Sequence, residues 1–233
     1  MIKYYLKRAF GIIFFVVSCC LYATTGHVPA ESVAQQKAEN LSLTPDVPEG
    51  WISLFDGKTL NGWEIVHYGG EGEPYVENEV LILPQAIDGL MTGVRWVGDS
   101  LPNNNYIIHY EARRTKGFDI FAGLSFPYND TFASLIFSGW RGIVNGLSSI
   151  NGYDASENET TQHFSHYDNK WYAVELRATT DSIIAYVGSE LVVDIATVGK
   201  NIHLRYGLDD TSLTLWSYQS TGEIRDIRIK KLP

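Results

Sequence analysis

Glu111 and Arg113 stand two residues apart in the run Tyr106-Ile107-Ile108-His109-Tyr110-Glu111-Ala112-Arg113-Arg114. In an extended chain side chains i and i+2 share a face. A carboxylate and a guanidinium are therefore expected side by side, opposite an apolar face made by Tyr106, Ile108, Tyr110 and Ala112. Such a pair has the makings of a general base and an electrostatic partner for developing negative charge. The competing reading is a solvated outer face with a cross-strand ion pair.

Three other groups carry possible chemistry. Trp140, Trp216 and Tyr218 are candidates for a stacking platform, because the apolar C–H faces of pyranose rings pack on aromatic rings, and Asn145 joins them as a polar substrate-binding residue. Alternation over residues 213–220 puts Trp216 and Tyr218 on one face; filling of the core is the other use for such rings. The segment from Asn151 to Thr160 gathers Asp154, Glu157, Glu159 and two asparagines. Asp154 and Glu157 are its candidate ligands for a hard divalent cation such as calcium. The spacing matches no EF-hand loop, and an acidic surface loop is the plainer reading. His163 and His166 lie three apart without the H-E-x-x-H pattern or a third ligand nearby, which speaks against a metal. A G-x-S-x-G elbow, a phosphate-binding glycine loop and the E-x-D-x-x-E strand of retaining glycosidases are absent from the sequence.

The elements that position these residues are short. From Trp51 onward, apolar-alternating segments are separated by Gly, Asn, Asp and Pro at intervals of roughly 8–12 residues, the pattern of an antiparallel sandwich. Strands are expected over residues 51–55, 63–66, 75–83, 90–97, 106–114, 118–126, 132–140, 143–150, 171–178, 183–187, 191–195, 202–206, 213–218 and 224–232. Of the 233 residues, 45% are hydrophobic and 19% charged, which excludes disorder and a coiled coil.

The first thirty residues read differently. Lys3, Lys7 and Arg8 precede an apolar run from Phe10 to Leu21, the basic and apolar regions of a secretory signal. Twelve residues are too few to cross a bilayer, which takes about 20 in a helix. Val16-Val17-Ser18-Cys19 also reads as a lipobox, with ordinary cleavage near Ala23 or Ala30 as the alternative. The expected organisation is a signal peptide over 1–23, a linker over 24–48 that includes a short helix around residues 32–39, and one domain over 49–233. Both cysteines, Cys19 and Cys20, fall in the signal, so the domain has no disulfide or thiol chemistry. The full chain carries a net charge of −9; without its first thirty residues it has 15 basic against 27 acidic groups, a net charge of −12. Such a body repels phosphate backbones and anionic lipid, which excludes nucleic acid as a partner and leaves a lipid anchor as the one route to a membrane.

Trp51-Ile52-Ser53-Leu54-Phe55-Asp56-Gly57-Lys58-Thr59-Leu60-Asn61-Gly62-Trp63 resembles the "W-x-x-L-F-D-G-K-T-L-x-G-W" opening of the bacterial 3-keto-disaccharide hydrolase domain. Residues 224–232 are similar to that family's closing strand, and residues 139–160 to a subgroup reading "G-W-G-G-x-x-x-G-L-S-S-I-D-G-x-D-A-S-E-N-E-T". The resemblance spans Trp51 to Leu232. It implies an all-β, concanavalin A-like jelly-roll sandwich of two antiparallel sheets, export in bacteria (to the periplasm, the outer membrane or beyond), and action on or binding to carbohydrate. In a 3-keto sugar the ketone acidifies the neighbouring C2–H, so a base and a cation near the ketone oxygen suffice to expel the C1 substituent. On this reading Glu111 is the base and Arg113 its partner, in a groove on the outer face of their sheet. An exported enzyme cleaving 3-keto-glycosides by hydrolysis or β-elimination is the first expectation. A non-catalytic lectin-like module and a purely structural sandwich are the rivals.

Overall fold

Tyr106–Gly117 (β6) is the spine of the structure, a computed structural model that describes residues 47–69, 72–87 and 90–233. The expected signal peptide with Cys19, the expected helix around residues 32–39 and the expected linker up to residue 46 all fall outside the described residues. Along β6, Tyr106, Ile108, Tyr110 and Ala112 are buried, while Ile107, His109, Glu111 and Arg113 are half-exposed on the opposite face. Hydrophobic alternation thus decides which face meets the core.

Two antiparallel sheets form the sandwich. The first runs in the order β13 (Glu190–Ala196), β12 (Ser182–Val187), β11 (Tyr172–Ala178), β6, β15 (Ser220–Lys231), β4 (Val80–Leu83) and β3 (Tyr75–Glu77), with β1 (Ile52–Ser53) also paired to β15. The second runs β10 (Gln162–His163), β9 (Val144–Ser148), β8 (Thr131–Ser138), β7 (Gly123–Tyr128), β14 (Thr214–Tyr218), β5 (Met91–Trp96) and β2 (Trp63–Val66). Ile108, Tyr110, Val174 and Leu176 from the first sheet meet Leu124, Phe126, Leu135, Phe137 and Leu215 from the second in one buried cluster. Each such side chain contributes about 1.5–3 kcal/mol on leaving water. Tyr110 stays satisfied at this depth by donating its hydroxyl to the Ala122 carbonyl at 2.8 Å.

Three expected strands fold otherwise, and two of them matter for function. Residues 75–83 split into β3 and β4 at a two-residue turn, Asn78 and Glu79, whose φ values of 51° and 64° suit a tight hairpin. Residues 118–122 form a loop before β7, and residues 202–206 form coil joined to the sandwich by a single bridge between Ile202 and Ile150. Apolar residues in both segments pack without a continuous strand partner.

His166 is buried among Phe121, Phe137, Phe164 and Tyr172, with ring centroids 4.8–6.0 Å away, and its Nδ1 lies 2.9 Å from the Ser138 hydroxyl. Burial, helped by the positive charges of Arg114 and Lys170, lowers its pKa to about 4. The unfolded chain, titrating near 6.5, therefore binds a proton that the folded protein refuses between pH 4 and 6.5. This contribution to stability is complete above pH 6.5 and is lost as the pH falls towards 4, by roughly 3 kcal/mol. Urea unfolding of wild type and His166→Phe across that range should show a pH-dependent difference of this size. Parallel curves would contradict it.

Candidate active site

The outer face of the second sheet carries Thr214, Trp216 and Tyr218 from β14, because Leu215 between them points into the core. Trp216 lies across its neighbours and is 1% exposed. Gly123 on β7 makes this position available: a Cβ there would come within 2.8 Å of the indole ring. The indole N–H donates to the Ser125 hydroxyl at 3.2 Å. Gly123→Ala should therefore push the ring out of its trough and destabilise the fold by about 1–3 kcal/mol. Thermal melts of that variant check this expectation; an unchanged melting temperature would mean that the ring position is immaterial to the fold.

Loops build the walls above this floor. Gly139–Gly142 (α1) is a single left-handed turn, with φ of 50° at Trp140 and 66° at Arg141. A left-handed residue with a side chain costs about 1–2 kcal/mol. Part of that cost is offset by the Arg141 N–H, which donates to Asp119 Oδ2 at 2.8 Å. Asp119 Oδ1 accepts the Ile120 N–H at 2.9 Å, and the Asp119 N–H and carbonyl both bond the Ser220 hydroxyl at 2.9 Å. Asp119 is thereby fixed, and it is buried. Burial raises its pKa above the usual carboxylate range, although Arg141, Ile120, Arg114 and Arg205 all favour the charged form.

Arg205 comes from the coil that replaces the expected strand at 202–206. Its N–H donates to Ser134 Oγ on β8 at 3.2 Å, its Nη2 lies 3.2 Å from Asp154 Oδ2, and its guanidinium stands 5.4 Å from the Trp140 ring centroid. Asp119, Arg205, Trp140, Trp216, Tyr218, Met91 and Ile120 enclose a cleft of about 350 Å³. That is within the size range of small-molecule sites, with few polar groups set in apolar walls.

Trp140, Trp216 and Tyr218 thus come together as the sequence suggested. Glu111 and Arg113 do not join them. They lie on the outer face of the first sheet, where register places Glu111 opposite Arg225 and Arg113 opposite Glu223. Glu111 Oε2 accepts from Arg225 Nε at 2.6 Å and Glu223 Oε2 from Arg113 Nε at 2.6 Å, while both guanidiniums stack over Trp171 at 4.1 and 4.6 Å. Glu111 and Arg113, expected as base and partner, thus share no groove with the tryptophans: alternation sends a residue outward without saying from which sheet.

Asn145 is buried away from the cleft, bracing the end of β8. Its Oδ1 accepts the Ser138 N–H at 3.0 Å, and its Nδ2 donates to the Phe164 carbonyl at 2.9 Å. Asp154 accepts from the Ser148 hydroxyl and the Ala155 N–H and faces Arg205, whereas Glu157 is exposed. Among the described residues no three His, Cys, Asp or Glu side chains gather as a metal-binding group. The acidic loop holds a guanidinium. His163 is exposed on β10, apart from the buried His166.

Asp119 and Arg205 escaped the sequence reading. Their signal was faint: Asp119 is a lone charge in Phe118-Asp119-Ile120-Phe121, and Arg205 a lone cation in Leu204-Arg205-Tyr206.

The model of the 3-keto-alpha-glucoside-1,2-lyase-like domain matches residues 50–230. The chain belongs to this family. It is a family of carbohydrate-active, glycosyl-hydrolase-like domains. None of the curated proteins matches the chain. Among solved structures, the Crh5 transglycosylase in complex with NAG shares 8% identity at a TM-score of 0.54, over 80% of this chain and 86% of that one. A Bacillus subtilis protein of galectin-like fold shares 9% identity at a TM-score of 0.51, over 74% and 90%. The carbohydrate-binding module CBM66 from Bacillus subtilis gives 15% identity and a TM-score of 0.47, over 73% and 96%. The first two likenesses concern the fold, a jelly-roll sandwich, as the family resemblance implied.

Proposed function

We propose that the cleft binds a 3-keto-glycoside and cleaves it by β-elimination, with Asp119 as base and Arg205 as the cation beside the ketone oxygen. One observation carries this reading: a buried carboxylate and a guanidinium converge on a cleft floored by tryptophan, in a domain of the 3-keto-alpha-glucoside-1,2-lyase-like family. The half-exposed Trp140 and Tyr218 suit the apolar face of a pyranose, with the buried Trp216 supporting them from below. Asp119 takes the C2 proton and the electron pair moves towards the C3 oxygen, where Arg205 stabilises the enolate. The enolate then collapses, forming C1=C2 and breaking the C1–O bond, and the leaving oxygen takes the proton back from Asp119. The products are an unsaturated 3-keto sugar and a free alcohol; addition of water across the double bond completes a net hydrolysis. A carboxyl with a raised pKa suits both halves of this proton cycle.

A 3-keto-glycoside with a chromogenic leaving group tests the reading, with a substrate deuterated at C2 run in parallel. Release slowed by the deuterium supports elimination. A protein inert towards the ketone that still binds plain glycans would be a lectin-like module instead. The same proposal puts the protein outside the cytoplasm, on the strength of Lys3, Lys7, Arg8 and the apolar run after them. Mass spectrometry of the protein from its native host distinguishes an acylated Cys19, simple cleavage near Ala23 or Ala30, and an intact Met1 that would end the export proposal.

A further inference from the structure

We propose that Asp154 is a positioning residue that holds the Arg205 guanidinium in the orientation the ligand meets; the proposal rests on the reading of the cleft given above. The loop carrying Asp154 is tightly braced. Asn158 Nδ2 donates to the carbonyls of Leu147 at 2.7 Å and Asp154 at 2.9 Å, and Asn158 Oδ1 accepts the N–H and hydroxyl of Thr160 at 2.9 and 2.7 Å. Lys200 ties the loop down through Glu159 at 2.7 Å. Within this frame Asp154 Oδ1 accepts from the Ser148 hydroxyl and from the Ala155 N–H, which leaves Oδ2 to face Arg205 Nη2.

Arg205 is gripped twice, at Nη2 by Asp154 and across its plane by the Trp140 ring. Its Nε is buried without a partner, and among the described residues its side chain makes no further hydrogen bond. A guanidinium presents five N–H donors in a rigid fork. Fixing one nitrogen and the plane therefore fixes where the remaining donors point, and an oxygen-bearing ligand in the cleft is what they can satisfy. Residues 151–160, which looked like a cation loop in the sequence, act instead as a clamp on the cation that the protein itself supplies.

Chemical rescue separates positioning from bulk stability. Arg205→Ala should lose about 10²-fold in turnover of the 3-keto-glycoside, and millimolar guanidinium should restore roughly tenfold of it, because Asp154 and Trp140 remain to seat the free cation. In the Asp154→Ala, Arg205→Ala double variant the rescue should vanish. Equal rescue in both backgrounds would overturn the proposal, as would an Asp154→Asn single variant with wild-type kcat/KM. If the wild type cleaves nothing, the elimination reading fails by itself. The same comparison is then read in affinity for a plain glycan, where Asp154→Asn and Arg205→Ala should weaken binding to a similar degree and without adding. Hydrogen exchange at Arg205 Nε provides a ligand-free arm: Asp154→Asn should speed it at least about tenfold if the clamp orders the side chain, and unchanged exchange overturns the proposal whatever the substrate.

Discussion

Asp119→Asn should lower kcat/KM for a 3-keto-glycoside by about 10²–10⁴-fold, the range of a lost general base. The substitution is nearly isosteric. Its amide oxygen can still accept the Arg141 N–H, so the left-handed turn that presents Trp140 should survive. The other carboxylate oxygen now accepts from Ile120, and an amide nitrogen there loses that bond, at a cost of about 1 kcal/mol. The melting temperature should accordingly move by only a few degrees. The pH profile carries a second signature. Asp119 acts in its ionised form, and burial raises its pKa. Activity of the wild type should therefore climb with pH through a limb lying above the ordinary carboxylate value of about 3.9. Arg205 favours the ionised form, so its removal should carry that limb further upward. Steady-state kinetics between pH 4 and 8 measure both effects. A limb that stays in place when Arg205 is removed would separate the two residues electrostatically.

Trp216→Ala is expected to cost the fold about 3–5 kcal/mol, the usual penalty for emptying a large buried aromatic site. The ring is the largest side chain of the second buried cluster, which also holds Ile120, Ile136 and Val144, and its N–H has a partner in Ser125. Truncation removes the floor of the cleft and leaves Ser125 short of a donor. Loss of binding and loss of stability should therefore appear together. Trp216→Phe keeps a ring over Gly123 and gives up the Ser125 bond. It should recover most of the stability, with about 1 kcal/mol still missing. Urea denaturation of the two variants measures this; a drop below 1 kcal/mol for the alanine variant would show that the ring contributes little to the core.

Local physics made much of the fold legible. Alternation at Tyr106, Ile108, Tyr110 and Ala112, and again at Tyr172, Val174 and Leu176, marks the buried face directly. The family's opening motif has equally local causes: the Asp56 carboxylate accepts the N–H groups of Lys58 and Thr59 at 2.7 Å, and the Trp63 indole donates to the Leu54 carbonyl at 2.7 Å. Pairing across the sandwich is another matter. Glu111 finds its partner 114 residues away in Arg225, and Trp216 finds Ser125 at a separation of 91. No local pattern reports which sheet an outward face belongs to, so the carboxylate that alternation exposed most clearly, Glu111, is on the sheet opposite the cleft. Asp119 and Arg205 were hidden for a related reason: both sit where an apolar run leaves the strand pattern, and their roles come from the turn at Trp140 and the loop at Asp154. Asp154 itself was visible as one of a group of carboxylates. Its use depends on Arg205, which stands on a separate segment of coil and meets it only in the folded structure.

One paired measurement decides which outer face of the sandwich does the chemistry. Turnover of a single 3-keto-glycoside is compared for wild type, Asp119→Asn and Glu111→Gln under identical conditions. The geometry predicts that Asp119→Asn loses about 10²-fold or more while Glu111→Gln, whose carboxylate is bound to Arg225 on the other sheet, keeps wild-type turnover. Retained activity in Asp119→Asn together with its loss in Glu111→Gln would place the reaction on the first sheet and contradict the account.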